Sequence, residues 1–193
     1  HLAGKVPEKV FLEFLLRHGT YGQRQPNIQM QRIKIPLGIL DAEKIEVLGE
    51  VAEEYGDSIC HITTRQDFQI HYINILDCPD LFRRRAEVGI TTREACGNTV
   101  RNVTGCHMAG VCADELFDVT PYAAAYSRYF VRHPYTQALP RKIKTAFSGC
   151  ERDCAITAIH DVGFIPRIVD GKKGFKMLAG GGTSIMPRIA PTL

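Results

Sequence analysis

Polar and apolar positions alternate through residues 29–35, where Met30, Arg32 and Lys34 interleave with Gln31, Ile33 and Ile35. That two-residue period predicts a strand with two distinct faces, ended by Pro36 and Gly38. Upstream, Glu8–Arg17 reads as a short helix followed by a polar, glycine-containing arm. Downstream, Asp41 is placed to cap a helix through Tyr55, with Ile45, Leu48, Val51 and Ala52 spaced for one buried face. Gly56-Asp57 then turns the chain into strands at Ser58–Thr63 and Phe68–Ile75, the latter alternating Phe68, Ile70 and Tyr72 against Gln69, His71 and Asn74. A helix from Pro79 to Val88 ends at Gly89.

Strand, helix, strand, strand, helix is close to a split βαβ, ferredoxin-like unit. From about Thr91 the texture changes. A loop-rich stretch is expected over Cys96–Asp118, a helix over Thr120–Arg132, and strands at Lys142–Phe147, Val162–Ile168 and Phe175–Ala179, followed by Gly180-Gly181-Gly182. The expectation is a mixed α+β protein with an N-terminal arm (1–28), a ferredoxin-like half-domain (29–90) and a second half-domain (91–193).

Charge narrows the ligand. The net charge is only +3, but basic side chains gather at Arg17–Lys34, Arg65, Arg101 and Arg141–Lys144. Such short clusters beside Thr, Asn and Gln suit a small, dense anion; a nucleic acid would want a longer basic stripe. No run of about eighteen apolar residues offers a membrane-spanning helix. Nothing resembles a secretory signal, so a cytoplasmic protein is expected. A chain running from His1 to Pro191-Thr192-Leu193 reads as a fragment or a trimmed chain.

Seven cysteines without a secretory signal favour metal or redox use over a disulfide framework. Cys60, Cys78 and Cys96 lie in or beside apolar stretches and read as small buried hydrophobes. The other four form two pairs, Cys106/Cys112 and Cys150/Cys154, flanked by Gly105, Gly110 and Gly149. Spacing alone leaves three readings open: an iron–sulfur cluster, whose larger core tolerates wide gaps; a zinc site, which usually wants tighter pairs; or four unrelated thiols.

Four further segments carry a resemblance. Thr63-Thr64-Arg65-Gln66-Asp67-Phe68-Gln69-Ile70-His71, Gly97-Asn98-Thr99-Val100-Arg101-Asn102-Val103-Thr104-Gly105, Leu139-Pro140-Arg141-Lys142-Ile143-Lys144 and Gly174-Phe175-Lys176-Met177-Leu178-Ala179-Gly180-Gly181-Gly182 occur in that order. Together they resemble the motifs of the sirohaem-dependent sulfite and nitrite reductases, over roughly residues 24–190. The resemblance implies a ferredoxin-like half-domain followed by half of a sirohaem/iron–sulfur domain.

It also implies roles. Cys106, Cys112, Cys150 and Cys154 would hold a [4Fe–4S] cluster, with Cys154 bridging to the sirohaem iron. Arg65, Arg101, Lys142 and Lys144 would face sulfite or nitrite during a six-electron reduction. Gln69, His71 and Asn102 would lie near the macrocycle. For Gly180, Gly181 and Gly182 two readings stay open, a propionate cradle made by their backbone amides, as glycine-rich loops make for phosphates, or a plain turn. Arg24, Arg32 and Lys34 lack the support of these motifs and would be sirohaem-carboxylate or surface contacts, and His107 and His160 receive no role. This chain has Gly-Cys150-Glu151-Arg152-Asp153-Cys154 where the family commonly has Gly-Cys-Pro-Asn-x-Cys.

The match is to the first half of the longer members, so either a single-half reductase or the first half of a longer chain is expected, the end after the glycine loop favouring the second. An electron-donor protein or flavoprotein and a second half or homodimer complete the implied partners, with no nucleic acid and no membrane. The rival readings are a cofactor-free structural half or dimerisation module and a zinc-stabilised binding module.

Overall fold

The computed structural model describes residues 3–193, so the first two residues of the expected arm lie outside it. Two four-stranded sheets form the molecule. The first contains β1 (Thr20–Gly22), β2 (Ile28–Ile33), β3 (Cys60–Ile62) and β4 (Phe68–Asn74) in the order β1-β2-β4-β3, antiparallel throughout. Helices α1 (Glu8–Arg17), α2 (Ala42–Tyr55) and α3 (Cys78–Glu87) accompany it. The glycine-containing arm is an edge: Thr20, Tyr21 and Gly22 pair with Gln31, Met30 and Gln29.

The period-two reading of β2 matches the structure, with Gln29, Gln31 and Ile33 buried and Arg32 turned to the other face. Asp41 caps α2, its Oδ1 accepting from Lys44 N at 2.9 Å. Leu48, Val51 and Ala52 enter the core with Ile33, Ile70, Ile73 and Leu81. Ile45, expected on that buried face, is 55 % exposed.

Alternation also fails at the end of β4. Gln31 pairs with Ile70 but Gln29 with Ile73, so His71 and Tyr72 together oppose Met30. This bulge, with φ of 60° at Tyr72, turns Tyr72 outward and Ile73 into the core. A period cannot announce one extra residue.

The second sheet runs β5 (Val100–Gly105), β6 (Ile143–Phe147), β7 (Val162–Val169), β8 (Lys172–Ala179). The first three are parallel and β8 returns antiparallel to β7. Helix α4 (Thr120–Phe130) provides the crossover from β5 to β6. Strand β5 lies inside the stretch expected to be loop. All six of its residues are buried, on both faces, so it never alternates. Phe147, Phe164, Phe175, Tyr126 and Phe117 form an aromatic cluster against α4.

After β8, the amides of Gly180, Gly181 and Gly182 donate to Asp161 O, His160 O and Arg188 O. A Cβ on Gly181 would lie 2.3 Å from Ala158 O and 2.6 Å from His160 O, whereas one on Gly182 meets nothing within 4 Å. Gly181→Ala is therefore expected to cost roughly 3 kcal/mol in urea unfolding, and Gly182→Ala less than about 0.5 kcal/mol.

Candidate functional site

The β3–β4 hairpin makes the junction between the sheets. Thr63 N donates to Asp67 O at 2.9 Å and Gln66 takes φ of 58°, a tight turn that projects Arg65 and Gln66 toward β5 and β6. Gln66 behaves as an extra strand residue: its Nε2 donates to Gly105 O and its Oε1 accepts from Gly105 N, each at 2.9 Å. Arg65 Nη2 donates to Asn102 O and, at 3.3 Å, to Thr145 O. Asn102 returns the link, its Nδ2 donating to Ile35 O at 2.7 Å and Arg65 O at 2.9 Å.

Burial lowers Arg65 to a pKa of about 10, with Asp67 opposing and Arg101 assisting the shift, so its guanidinium is still charged at neutral pH. Arg101 on β5 is held by Gly97 O at 2.9 Å and Ala95 O at 2.8 Å. Lys144, on β6, is half-buried; its backbone N donates to Asp161 Oδ2 at 2.7 Å. Desolvation lowers the Lys144 pKa, and the charges of Arg65, Lys142 and Arg101 push it the same way against Asp161. The four cations named from the sequence therefore share one electrostatic field. Lys142 is the exposed member, just ahead of β6.

The cysteine pairs approach from two loops. Cys106 follows β5, its N donating to Phe147 O at 2.9 Å, and Cys150 follows β6. Both are buried, Cys112 is half-buried and Cys154 exposed. A Cβ on Gly149 would lie 3.6 Å from Cys106 Cβ, ordinary van der Waals contact, so the two loops run side by side here. The Cys154 thiol is pushed up by local desolvation, then by Cys106 and Cys150, and also by Cys112, against the pull of Arg152. The other three sulfurs thus lie within electrostatic reach of Cys154.

Arg152 also reaches Cys112 Sγ, at 3.8 Å, and pairs with Asp114. Among the described residues no three His, Cys, Asp or Glu side chains meet closely enough to hold one metal ion. Four thiols on two converging loops, spread more widely than a single-ion site, are a donor set that fits a larger inorganic core.

A cavity of about 470 Å³ joins the two constellations, with Arg65, Lys144 and Cys154 all in its wall. His107 and His160 line it too. His160 Nδ1 lies 2.9 Å from Ile156 O, and burial together with nearby Arg65 and Lys144 lowers its pKa. The sequence singled out neither histidine, nor Gln66 as a clamp, nor Asp161; each gains its place from a long-range contact with no local signature.

Other expected members stand elsewhere. Asn102 is fully buried and positions Arg65, so it cannot touch a macrocycle. The three glycine amides are committed to carbonyls and form no anion cradle. Gln69 Oε1 accepts from Arg32 Nε at 3.0 Å and Nη2 at 2.6 Å, on the sheet face opposite the helices. His71 packs edge-on to His61 at 4.8 Å and lines a separate cavity with Tyr21 and Arg24. Lys34 is no surface contact: it is 2 % exposed, 3.6 Å from Glu94 and bonded to Val100 O at 3.2 Å.

Comparison with known proteins gives the lineage of this geometry. A family model described as the nitrite and sulphite reductase 4Fe-4S domain matches residues 96–193. One for the nitrite/sulfite reductase ferredoxin-like half domain matches 21–88. The ferredoxin–nitrite reductase of Leptolyngbya laminosa is 40% identical over 157 residues, 79% of this chain and 31% of that protein. A ferredoxin sulfite reductase of Mycobacterium tuberculosis is 36% identical over 162 residues, 83% of this chain and 29% of that one. The solved structure of Mycobacterium tuberculosis NirA superimposes with a TM-score of 0.88 at 31% identity, covering 96% of this chain and 37% of that one. The chain spans about a third of the length of the curated relatives it matches.

Asp67, beside Arg65, offers a pH test. Burial raises its pKa to about 6, against the pull of Arg32, Arg65 and Lys34. The folded protein therefore holds this proton more tightly than the unfolded chain, so the contribution of Asp67 to stability is greatest below about pH 4 and is lost as pH rises through about 6. Relative to the parent, Asp67→Asn is expected to gain on the order of 2 kcal/mol in urea unfolding between pH 4 and 7.

Proposed function

Because the chain belongs to the nitrite and sulphite reductase family, we propose that it forms the anion-binding wall and iron–sulfur half of a sirohaem-dependent reductase acting on sulfite or nitrite. The observation that carries the reading is the cavity where Arg65 and Lys144 stand beside Cys154. Cys106, Cys112, Cys150 and Cys154 would hold a [4Fe–4S] cluster, with Cys154, the most exposed thiol, toward the sirohaem. Together the cluster and sirohaem would supply the electrons for a six-electron reduction.

The chain's own residues bind the anion and deliver protons. Arg65, anchored by two backbone carbonyls, keeps a fixed charge in a half-buried site, where a screened contact in water becomes a strong one. Arg101 adds a second fixed guanidinium. Lys144 has a depressed pKa because it is partly desolvated among other cations, which makes its Nζ readier to release a proton to an oxygen leaving as water. Lys142, exposed just ahead of β6, adds a further cation beside the pair. The second wall of the sirohaem site would come from further protein or a second copy, and the relatives' names point to a ferredoxin as electron donor.

Protein produced with a supply of sirohaem is expected to carry iron and acid-labile sulfide and to show sirohaem and cluster absorption bands. Cys154→Ser should remove the electronic coupling between them. Lys144→Gln should leave the bands in place and weaken sulfite or nitrite binding about tenfold, roughly 1.4 kcal/mol. A colourless protein, or anion binding unchanged in both Arg65→Gln and Lys144→Gln, overturns the reading.

A further inference from the structure

A second cationic cavity lies on the helix side of the first sheet, away from Arg65 and Lys144. Strand β2 sets the separation: Arg32 faces Gln69 on one side, while Gln31 faces α3 on the other and accepts from Arg85. The cavity holds about 410 Å³, and Arg85, Arg93, Arg132, His18 and Thr92 line it beside an apolar wall containing Phe82.

Arg85 is the unusual member. It is 1 % exposed, and it sits in the last turn of α3. Its Nε donates to Leu81 O at 3.1 Å and its Nη2 to Gln31 Oε1 at 2.9 Å, but Nη1 is buried with no partner. Burial lowers the group to a pKa of about 9, with only the Cys78 thiol pulling the other way, so it is cationic at neutral pH. Among the described residues no carboxylate pairs with it. A buried charge without a counter-ion is unfavourable, and the fold offers none from its own side chains.

The neighbours deepen the deficit of negative charge. Arg93 Nη1 donates to His18 Nε2 at 3.0 Å, and Arg93 Nε is buried without a partner. His18 Nδ1 lies 2.8 Å from Phe14 O, so the ring donates there and accepts from Arg93, the pattern of a neutral imidazole. Arg132 stands at the mouth, with φ of 62° and its backbone N fixed on Glu94 Oε1 at 2.7 Å. Among the described residues, no acidic side chain lines the cavity. Two guanidinium groups, each with a buried nitrogen that has no protein partner, line a cavity without carboxylates, and such a setting favours an anion with several acceptor oxygens.

We propose that this cavity is a binding site for a small tetrahedral oxyanion, phosphate or sulfate, held by Arg85 and Arg93 with Arg132 closing the mouth. It is independent of the reductase site, since it shares no residue with it.

The test is titration of the protein with inorganic phosphate and, separately, sulfate, at ionic strength held constant with chloride, read by isothermal calorimetry and by the thermal unfolding midpoint. Saturable binding and a raised midpoint are expected. Arg93→Gln should weaken binding at least tenfold, and Arg132→Gln, at an exposed position where folding is not at stake, about threefold. Arg65→Gln/Lys144→Gln should leave it unchanged. The proposal is overturned if neither anion binds more tightly than chloride, if Arg132→Gln has no effect, or if the Arg65→Gln/Lys144→Gln protein is the one that loses binding.

Discussion

The tip of the β3–β4 hairpin enters the second sheet at the ends of β5 and β6, and the remaining architecture is arranged about that insertion. Gln66 pairs with both polar groups of Gly105, and Arg65 spans Asn102 O and Thr145 O. The Asn102 side chain holds Arg65 O and Ile35 O in return. Hydrogen bonds to charged groups contribute roughly 1.5–3 kcal/mol each, about twice neutral ones. More important is what happens without them. Asn102 and the strand carbonyls are buried, and an unpartnered buried amide is costly. The two sheets are therefore tied by polar groups that have nowhere else to turn, and the cationic site stands on that tie.

Concentrating positive charge in one half-buried place is unfavourable in itself, and the structure offsets it only in part. Asp67 and Asp161 lie near Arg65, and Asp161 also accepts from Lys144 N. Asp67 is so enclosed that burial outweighs three nearby cations and keeps its proton on to about pH 6. Lys34 and Glu94 form a separate interior pair, with Glu94 also accepting from Arg132 N and Gln137 Nε2. A pair of this kind stabilises little once its own desolvation is counted, but removing either partner would strand the other. The charge left uncompensated around Arg65, Arg101, Lys142 and Lys144 is what an anion would complete.

Local pattern carried most of the elements. The cap at Asp41, the buried stripe of α2, the two faces of β2 and the order of strands and helices in the first half all follow from short-range periods. The four motifs likewise pointed to the family, and their basic residues do share one field. Other features escaped, among them Ile45, expected in the buried stripe, and the arm that became β1. Strand β5 is buried on both faces, and the side chains of Asn102 and Thr104 bond to carbonyls far away in the chain, so it looked like loop. The bulge at Tyr72 exchanged two residues between core and solvent. Gly180–Gly182 resembled an anion cradle, yet their amides are bonded to carbonyls brought in by the turn before β7 and by Arg188.

Sequence by itself determined which segments become helix or strand wherever one face is buried, because periodicity records that one-sided burial directly. It also determined the chemical inventory: four thiols in two pairs and basic residues in four short runs. Tertiary structure decided which of those groups meet, placing Cys154 beside Arg65 and Lys144, bonding Gln69 to Arg32 and setting His71 in a separate cavity. It alone produced the cavity around Arg85, whose three guanidinium groups come from α3, the loop before β5 and the turn after α4. The reason is one of range: a period reports neighbours a few residues apart, whereas a site is made by hydrogen bonds and charges between segments dozens of residues apart.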